Sequence, residues 1–327
     1  MLHGALAHLK RTTLLLLTIT SCAAWADLGS EPISPIKALP SDSAEKIQLG
    51  EILFHDVRLS SDNSISCASC HNLANGGADQ HPVSYGVNNA PGTTNTPTVF
   101  NTHFNLAQFW DGRAQTLNDQ INGPIHNPVE MNSNWEQITN KLNRDTELRK
   151  RFTQTYKGGI TGANVRDALA AFERSLLTVN APFDQWLRGK REALTEQQVK
   201  GYRLFKSYGC VSCHQGANVG GNMYAHFGAV DDIQTYFQTR GNGESIADLG
   251  RYNVTGAPED KHLFKVPSLR LAVKTAPYFH DGSVETLPDA IRVMAKYQLG
   301  RDIPDPHVEA IVSFLHSLVG EHPRLQP

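Results

Sequence analysis

Cys67-Ala68-Ser69-Cys70-His71 and Cys210-Val211-Ser212-Cys213-His214 decide how this chain is built. Each is a C-x-x-C-H unit, the attachment motif of a c-type haem. Both thiols add to vinyl groups of the porphyrin, and the adjoining histidine supplies the proximal imidazole to iron. Disulfides or zinc could also use C-x-x-C, but neither needs a histidine directly after the second cysteine. The sequence holds five cysteines; the one outside the motifs, Cys22, lies in the N-terminal segment treated below. Two covalently bound c-type haems are predicted, with His71 and His214 as proximal ligands.

Outward from the motifs the chain repeats itself. Gly50-Glu51-Ile52-Leu53-Phe54 precedes the first and Gly201-Tyr202-Arg203-Leu204-Phe205 the second, with Gly, Leu and Phe at matching offsets. Downstream, Pro97-Thr98-Val99, Phe109-Trp110-Asp111-Gly112 and Thr116-Leu117 return as Pro267-Ser268-Leu269, Phe279-His280-Asp281-Gly282 and Thr286-Leu287, each 170 residues later. An amphipathic helix closes each half: Val165, Ala168, Leu169, Phe172 and Leu176 share one face, as do Val308, Ile311, Val312, Leu315 and Leu318. Thr195 and Gln198 read as a capping box ahead of Tyr202 and Phe205. Strand-like alternation is weak throughout. The predicted fold class is mostly α: two tandem cytochrome c-type domains, 27–180 and 181–327, divided near Asn180-Ala181-Pro182, where a proline interrupts the helical pattern. Stretches rich in Gly, Asn and Pro, 75–101 and 227–258, read as long loops.

The 327 residues are 40% hydrophobic and 19% charged, with a net charge of -2. That describes a globular protein with no basic excess for nucleic acid and no polybasic patch for a membrane surface. Residues 1–26 read as a signal peptide: Lys10 and Arg11 precede apolar Leu14 to Ile19, and Ala24-Trp25-Ala26 offers a small-x-small cleavage site. The apolar run is too short to span a membrane. A rival reading makes Cys22 a lipidated N-terminus after Ile19-Thr20-Ser21. The expected location is the periplasm, an oxidising compartment.

Function turns on what faces each iron opposite its histidine. Iron with strong ligands on both faces passes electrons; iron with one free face can bind and cleave a small molecule. Met294, fourteen residues past His280 on a helix predicted over 289–297, is the candidate distal ligand of the second iron. Its bland alternative is core packing. At the same place in the first half, fourteen residues past Trp110, stands Pro124, which cannot ligate. Met131, His81, His103 and His126 are the substitutes within reach. The asymmetry predicts one electron-transfer haem and one reactive haem. Near Pro124 lie Gln120 and Glu130, an amide and a carboxylate suited to orienting a peroxide and relaying its proton. A lone Glu is otherwise usually a solvated surface group.

These residues resemble the bacterial di-haem cytochrome c peroxidases over essentially the whole chain after residue 26. The resemblance is carried by Cys67 to Gly77 (CASCHNLANGG), Asn95 to Asn101 (NTPTVFN), Ala107 to Ala114 (AQFWDGRA), Gly123-Pro124 with Val129-Glu130-Met131-Asn132, Phe172-Glu173-Arg174, Phe264-Lys265-Val266-Pro267, and Pro277 to Gly282 (PYFHDG). It implies a peroxidatic N-terminal haem with Glu130 as the acid–base group and Gln120 as the distal amide. It further implies Trp110 between the haems as an electron-transfer aid, His280 among the cofactor-binding residues, and Met294 as distal ligand of a high-potential C-terminal haem. A calcium ion is implied as well, held by the side chain of Asn95 and the carbonyls of Thr275 and Pro277. So are hydrogen peroxide as oxidant, a small cytochrome c or blue-copper protein as donor, and a homodimer. In one respect the chain departs from the family: the colinear position of the histidine that caps the first haem in many relatives is Val87. The first haem is therefore expected to stand open at rest, the alternative being a cap by His81 from a shifted loop. Two rival functions are a di-haem enzyme that oxidises a partner protein during cofactor maturation, whose members carry Tyr in place of the distal Met (Tyr297 lies near), and a non-enzymatic di-haem electron carrier.

Overall fold

A computed structural model describes residues 31–38, 41–241 and 243–326; the predicted signal peptide, residues 1–26 with Cys22, lies outside the described residues. Counting helices of six residues or more, the chain runs α1 (Ala44–Phe54), α2 (Trp135–Leu142), α3 (Thr146–Thr155), α4 (Gly162–Ser175), α5 (Pro182–Leu187), α6 (Glu196–Tyr208), α7 (Ile233–Thr239), α8 (Leu287–Leu299) and α9 (Asp305–His316). One short antiparallel ribbon pairs β1 (Tyr224–His226) with β2 (Leu263–Lys265), Ala225 opposite Phe264.

The repeated glycine is a helix-crossing signature. A Cβ on Gly50 of α1 would stand 2.0 Å from the carbonyl oxygen of Ala168 on α4, and one on Gly201 of α6 would stand 1.8 Å from that of Ala310 on α9. Only glycine lets these backbones touch. Around the first crossing Leu53, Phe54, Val165, Leu169 and Phe172 form one core; around the second Tyr202, Phe205, Val308, Ile311 and Phe314 form another. Thr195 and Gln198 make the expected capping box at α6.

The repeat extends to the backbone. Phe109 and Phe279 both hold a positive φ, 70° and 71°, a conformation that bulky residues avoid. Thr116 and Thr286 each cap a helix, accepting from the backbone N–H of Asp119 and Asp289.

Between 227 and 258 the chain is not the single loop expected. It contains α7, capped by Asp232, and the turns Ile246–Leu249 and Tyr252–Thr255. Ile233, Tyr236 and Phe237 build a third apolar cluster with Phe227, Phe264 and Tyr297. Seven residues are too few for helical periodicity to emerge from the surrounding Asp and Gly. Pro182 opens α5 at its first position, as its missing N–H permits. Both ends of the described chain cross to the opposite half. Ile33 packs in the second core while Glu31 accepts from Tyr202 (2.5 Å) and Lys206 (2.8 Å). Val319 and Leu325 pack on the first core, and Arg324 donates to Glu51 at 2.7 Å.

Candidate functional site

Each C-x-x-C-H unit borders its own cavity. Cys67, Cys70 and His71 line one of about 870 Å³, and Cys210, Cys213 and His214 line one of about 350 Å³. The four described cysteines form no disulfide, and their separation into two cavities rules out one four-cysteine zinc site. Burial pushes all four thiols up, Cys210 to about 11. The two histidines are oriented alike: Nδ1 of His71 lies 3.1 Å from the carbonyl oxygen of Gly77, and Nδ1 of His214 lies 3.4 Å from that of Val219. Donation through Nδ1 leaves Nε2 free as a metal ligand. Burial lowers both imidazole pKa values, that of His214 to about 4, which keeps the rings neutral and ligand-competent. Paired thiols, a neutral imidazole and a cavity fit a covalently held haem in each half.

Gln120, Pro124, Glu130 and Met131 all line the N-terminal cavity. The helical turn Leu117–Gln120 presents Gln120, whose amide bonds no protein group among the described residues. Glu130 sits on a tight turn: Asn127 Nδ2 donates to its Oε1 at 2.6 Å, and its own N–H donates to the Asn127 carbonyl at 3.1 Å. Burial raises the Glu130 carboxyl above the usual carboxylate range, against the opposing pull of Asn127 and Arg113. Val87 is 1% exposed, and its N–H donates to the Glu130 carbonyl at 2.8 Å. The loop that could carry a cap is thus tied at Val87 to the Glu130 backbone, and Val87 does not line the cavity. His81, His103 and His126 are exposed and none lines the cavity; His71 is the one imidazole that does so among the described residues. Met131 is mostly buried in the first core and reaches the wall beside Glu130.

Met294 projects from α8 into the C-terminal cavity, whereas Tyr297 packs on Tyr236 in the third cluster and does not line it. Asn95, Thr275 and Pro277 line the same cavity. Asn95 gives its Nδ2 to the His81 carbonyl at 2.9 Å, so its side-chain oxygen is the group left for a cation. Trp110, Phe109, Asn95 and Phe264 line both cavities and form the partition. Trp110 Nε1 donates to the Asn95 carbonyl (2.9 Å), and Asn95 N–H donates to the His280 carbonyl (2.7 Å). The His280 ring stacks on Phe264 at 4.5 Å and pairs through Nε2 with Asp248 at 2.7 Å. Although burial pushes Asp248 up, His280 and Arg240 hold its carboxyl well below the usual range. Sequence reasoning missed Asp248 and Arg240, because both fall in the stretch read as loop. It also gave no role to Glu173, which is 7% exposed, lines the N-terminal cavity and is pushed up to about 8 by burial.

A mostly helical frame holding two such cavities, one faced by a thioether and the other by a carboxylate and an amide, fits a di-haem redox protein. Residues 44–192 match the family described as di-haem cytochrome c peroxidase. The chain is 49% identical over 294 residues to cytochrome c peroxidase Ccp of Escherichia coli, covering 89% of this chain and 62% of that longer protein. It is 41% identical over 321 residues to cytochrome c551 peroxidase of Nitrosomonas europaea, covering 96% of this chain and 93% of the relative. A crystal structure of a MauG-like protein associated with microbial copper homeostasis shares the fold, with a TM-score of 0.76 at 25% identity over 90% of this chain and 97% of the other. This chain belongs to the di-haem cytochrome c peroxidase family.

Proposed function

We propose that the protein is an exported cytochrome c peroxidase that reduces hydrogen peroxide to water in the periplasm. The half spanning 27–180 handles the oxidant, and the half spanning 181–327 stores an electron. The observation that carries this reading is the presence of Glu130 and Gln120 on the wall of the N-terminal cavity, where the other half presents Met294. The haems, held through Cys67, Cys70, His71 and Cys210, Cys213, His214 with Met294, supply the redox-active iron. The chain's own part is acid–base work. The Gln120 amide orients the peroxide, and Glu130 accepts the proton from one oxygen and returns it to the leaving oxygen. Burial raises that carboxyl above its ordinary range, which favours holding the proton between the two halves of that exchange. Trp110 touches both cavities and is the route for the stored electron. Asn95 with the carbonyls of Thr275 and Pro277 suits calcium, a hard cation that prefers oxygen. A small cytochrome c or blue-copper protein is the donor in this reading, and the family precedent favours a homodimer.

The protein-oxidising alternative needs a tyrosine at the second iron, and Tyr297 is packed away from it. A mere carrier has no use for a half-buried carboxylate on the wall of an open cavity. Glu130→Gln separates the cases in a peroxide-turnover assay: the peroxidase should lose on the order of 10²–10⁴ in kcat with both haems still attached. Unchanged turnover would favour the carrier.

A further inference from the structure

Lys265 lies on β2 and is 7% exposed, yet its ammonium meets no hydrogen-bond acceptor and no ion-pair partner among the described residues. The nearest charge acting on it is Asp111, which is already paired with Arg113 at 2.8 Å. An ammonium facing an apolar cavity without an anion carries a desolvation cost that an arriving carboxylate would offset. Burial lowers its pKa to about 8, so it is still largely protonated at neutral pH. The position is fixed rather than incidental: the Lys265 N–H donates to the Trp110 carbonyl at 2.9 Å, and Tyr224 stands opposite it across the ribbon.

Lys265 lines the C-terminal cavity, and it is the one Lys or Arg among the residues lining it; no Asp or Glu lines that cavity. The N-terminal cavity differs, because its Arg113 has a carboxylate already. The ligand that fits a lone ammonium in an apolar cavity is one with a large apolar body and a carboxylate at its edge. Haem carries two such propionate carboxylates. We infer that Lys265 is the propionate-binding residue of the C-terminal haem, pairing its ammonium with one carboxylate beside the Trp110 partition. This rests on the haem reading given under Proposed function. Placing a positive charge there disfavours the oxidised, more positive iron and so raises the reduction potential of the electron-storing centre.

The test is a potentiometric titration of the holoprotein, following each haem optically, for wild type, Lys265→Met and Lys265→Arg. No peroxide is present, so the outcome is independent of whether the protein is a peroxidase. Lys265→Met, which keeps the apolar stem, should shift the C-terminal midpoint negative, several-fold more than the N-terminal one. Lys265→Arg should return most of that shift. Should the Met variant fail to retain haem, Lys265→Gln gives the same readout. A C-terminal midpoint unchanged in a neutral variant with both haems attached, or equal shifts at both centres, would overturn the inference and leave Lys265 a packing residue.

Discussion

The two halves follow one plan up to a threonine cap and then part. After Thr286 the chain continues as α8 for 13 residues and delivers Met294 to its cavity. After Thr116 the helix lasts four residues, Leu117–Gln120, and a second short one, Asn122–His126, carries Pro124 where the methionine would stand. Proline lacks the N–H that a continuing helix needs. The carbonyls freed around the break are used elsewhere: Met131 N–H donates to Pro124 at 3.1 Å and Ser133 N–H to Ile125 at 2.8 Å. Those bonds fold the following turn back and set Glu130 on the cavity wall. One broken helix thus puts a carboxylate on the cavity wall in place of a thioether, which the proposed function reads as an acid–base group in place of an axial ligand. The lesson is that the N-terminal half, proposed to be the reactive one, follows the plan of the C-terminal half with one helix interrupted.

That contrast can be attacked from several sides. Met294→Ala should make the halves alike at the iron's distal face. The C-terminal midpoint should fall, roughly by a few tenths of a volt, given the range over which axial ligands act. Spectroelectrochemistry of the isolated variant checks this.

The helix crossing supplies a second probe. By their contacts at Gly50 and Gly201, Ala168 and Phe172 correspond to Ala310 and Phe314. Glu173 then occupies the place of Leu315, and each lines its own cavity. With a carboxyl raised from 4.5 to about 8, folded protein binds a proton that unfolded chain releases between those values, so stability falls as pH rises through that window. Glu173→Gln should abolish that slope. Its gain over wild type should be near zero at pH 4 and about 2–4 kcal/mol at pH 8, by denaturant titration. An equal gain at both pH values would mean that Glu173 titrates alike in the folded and unfolded chain, with no burial shift.

The smallest effect tests what the halves share. Gly50→Ala and Gly201→Ala each drive a Cβ into a facing carbonyl and should each cost about 1–3 kcal/mol by overpacking. Similar losses from the two variants would mark the crossings as equivalent; a loss from one alone would break the duplication.

Much of this was legible in the residues because it rests on local spacing. C-x-x-C-H, the threonine caps and the 170-residue repeat all register within a few positions. Met294 and Pro124 could be compared because the frame holds between His280 and Met294. The partition was less accessible: Asn95, Trp110 and His280 meet through backbone carbonyls and Phe264 by stacking on the His280 ring, which no sequence pattern encodes. Asp248 and Arg240 were hidden in a segment whose helix is too short to show its period. Lys265 sits in a motif that was visible, but its solitude is a property of burial and appears only once the neighbours are placed.

The most direct test is to add an exogenous iron ligand, such as cyanide, to the fully oxidised holoprotein and to follow both haems by EPR and optical spectroscopy. The expected result is rapid binding at the N-terminal haem alone, since neither Val87 nor His81 lines its cavity, while Met294 as the proposed ligand would keep the C-terminal haem unchanged. Two protein ligands on the N-terminal iron in every redox state, or ligand entering the C-terminal haem first, would contradict the account.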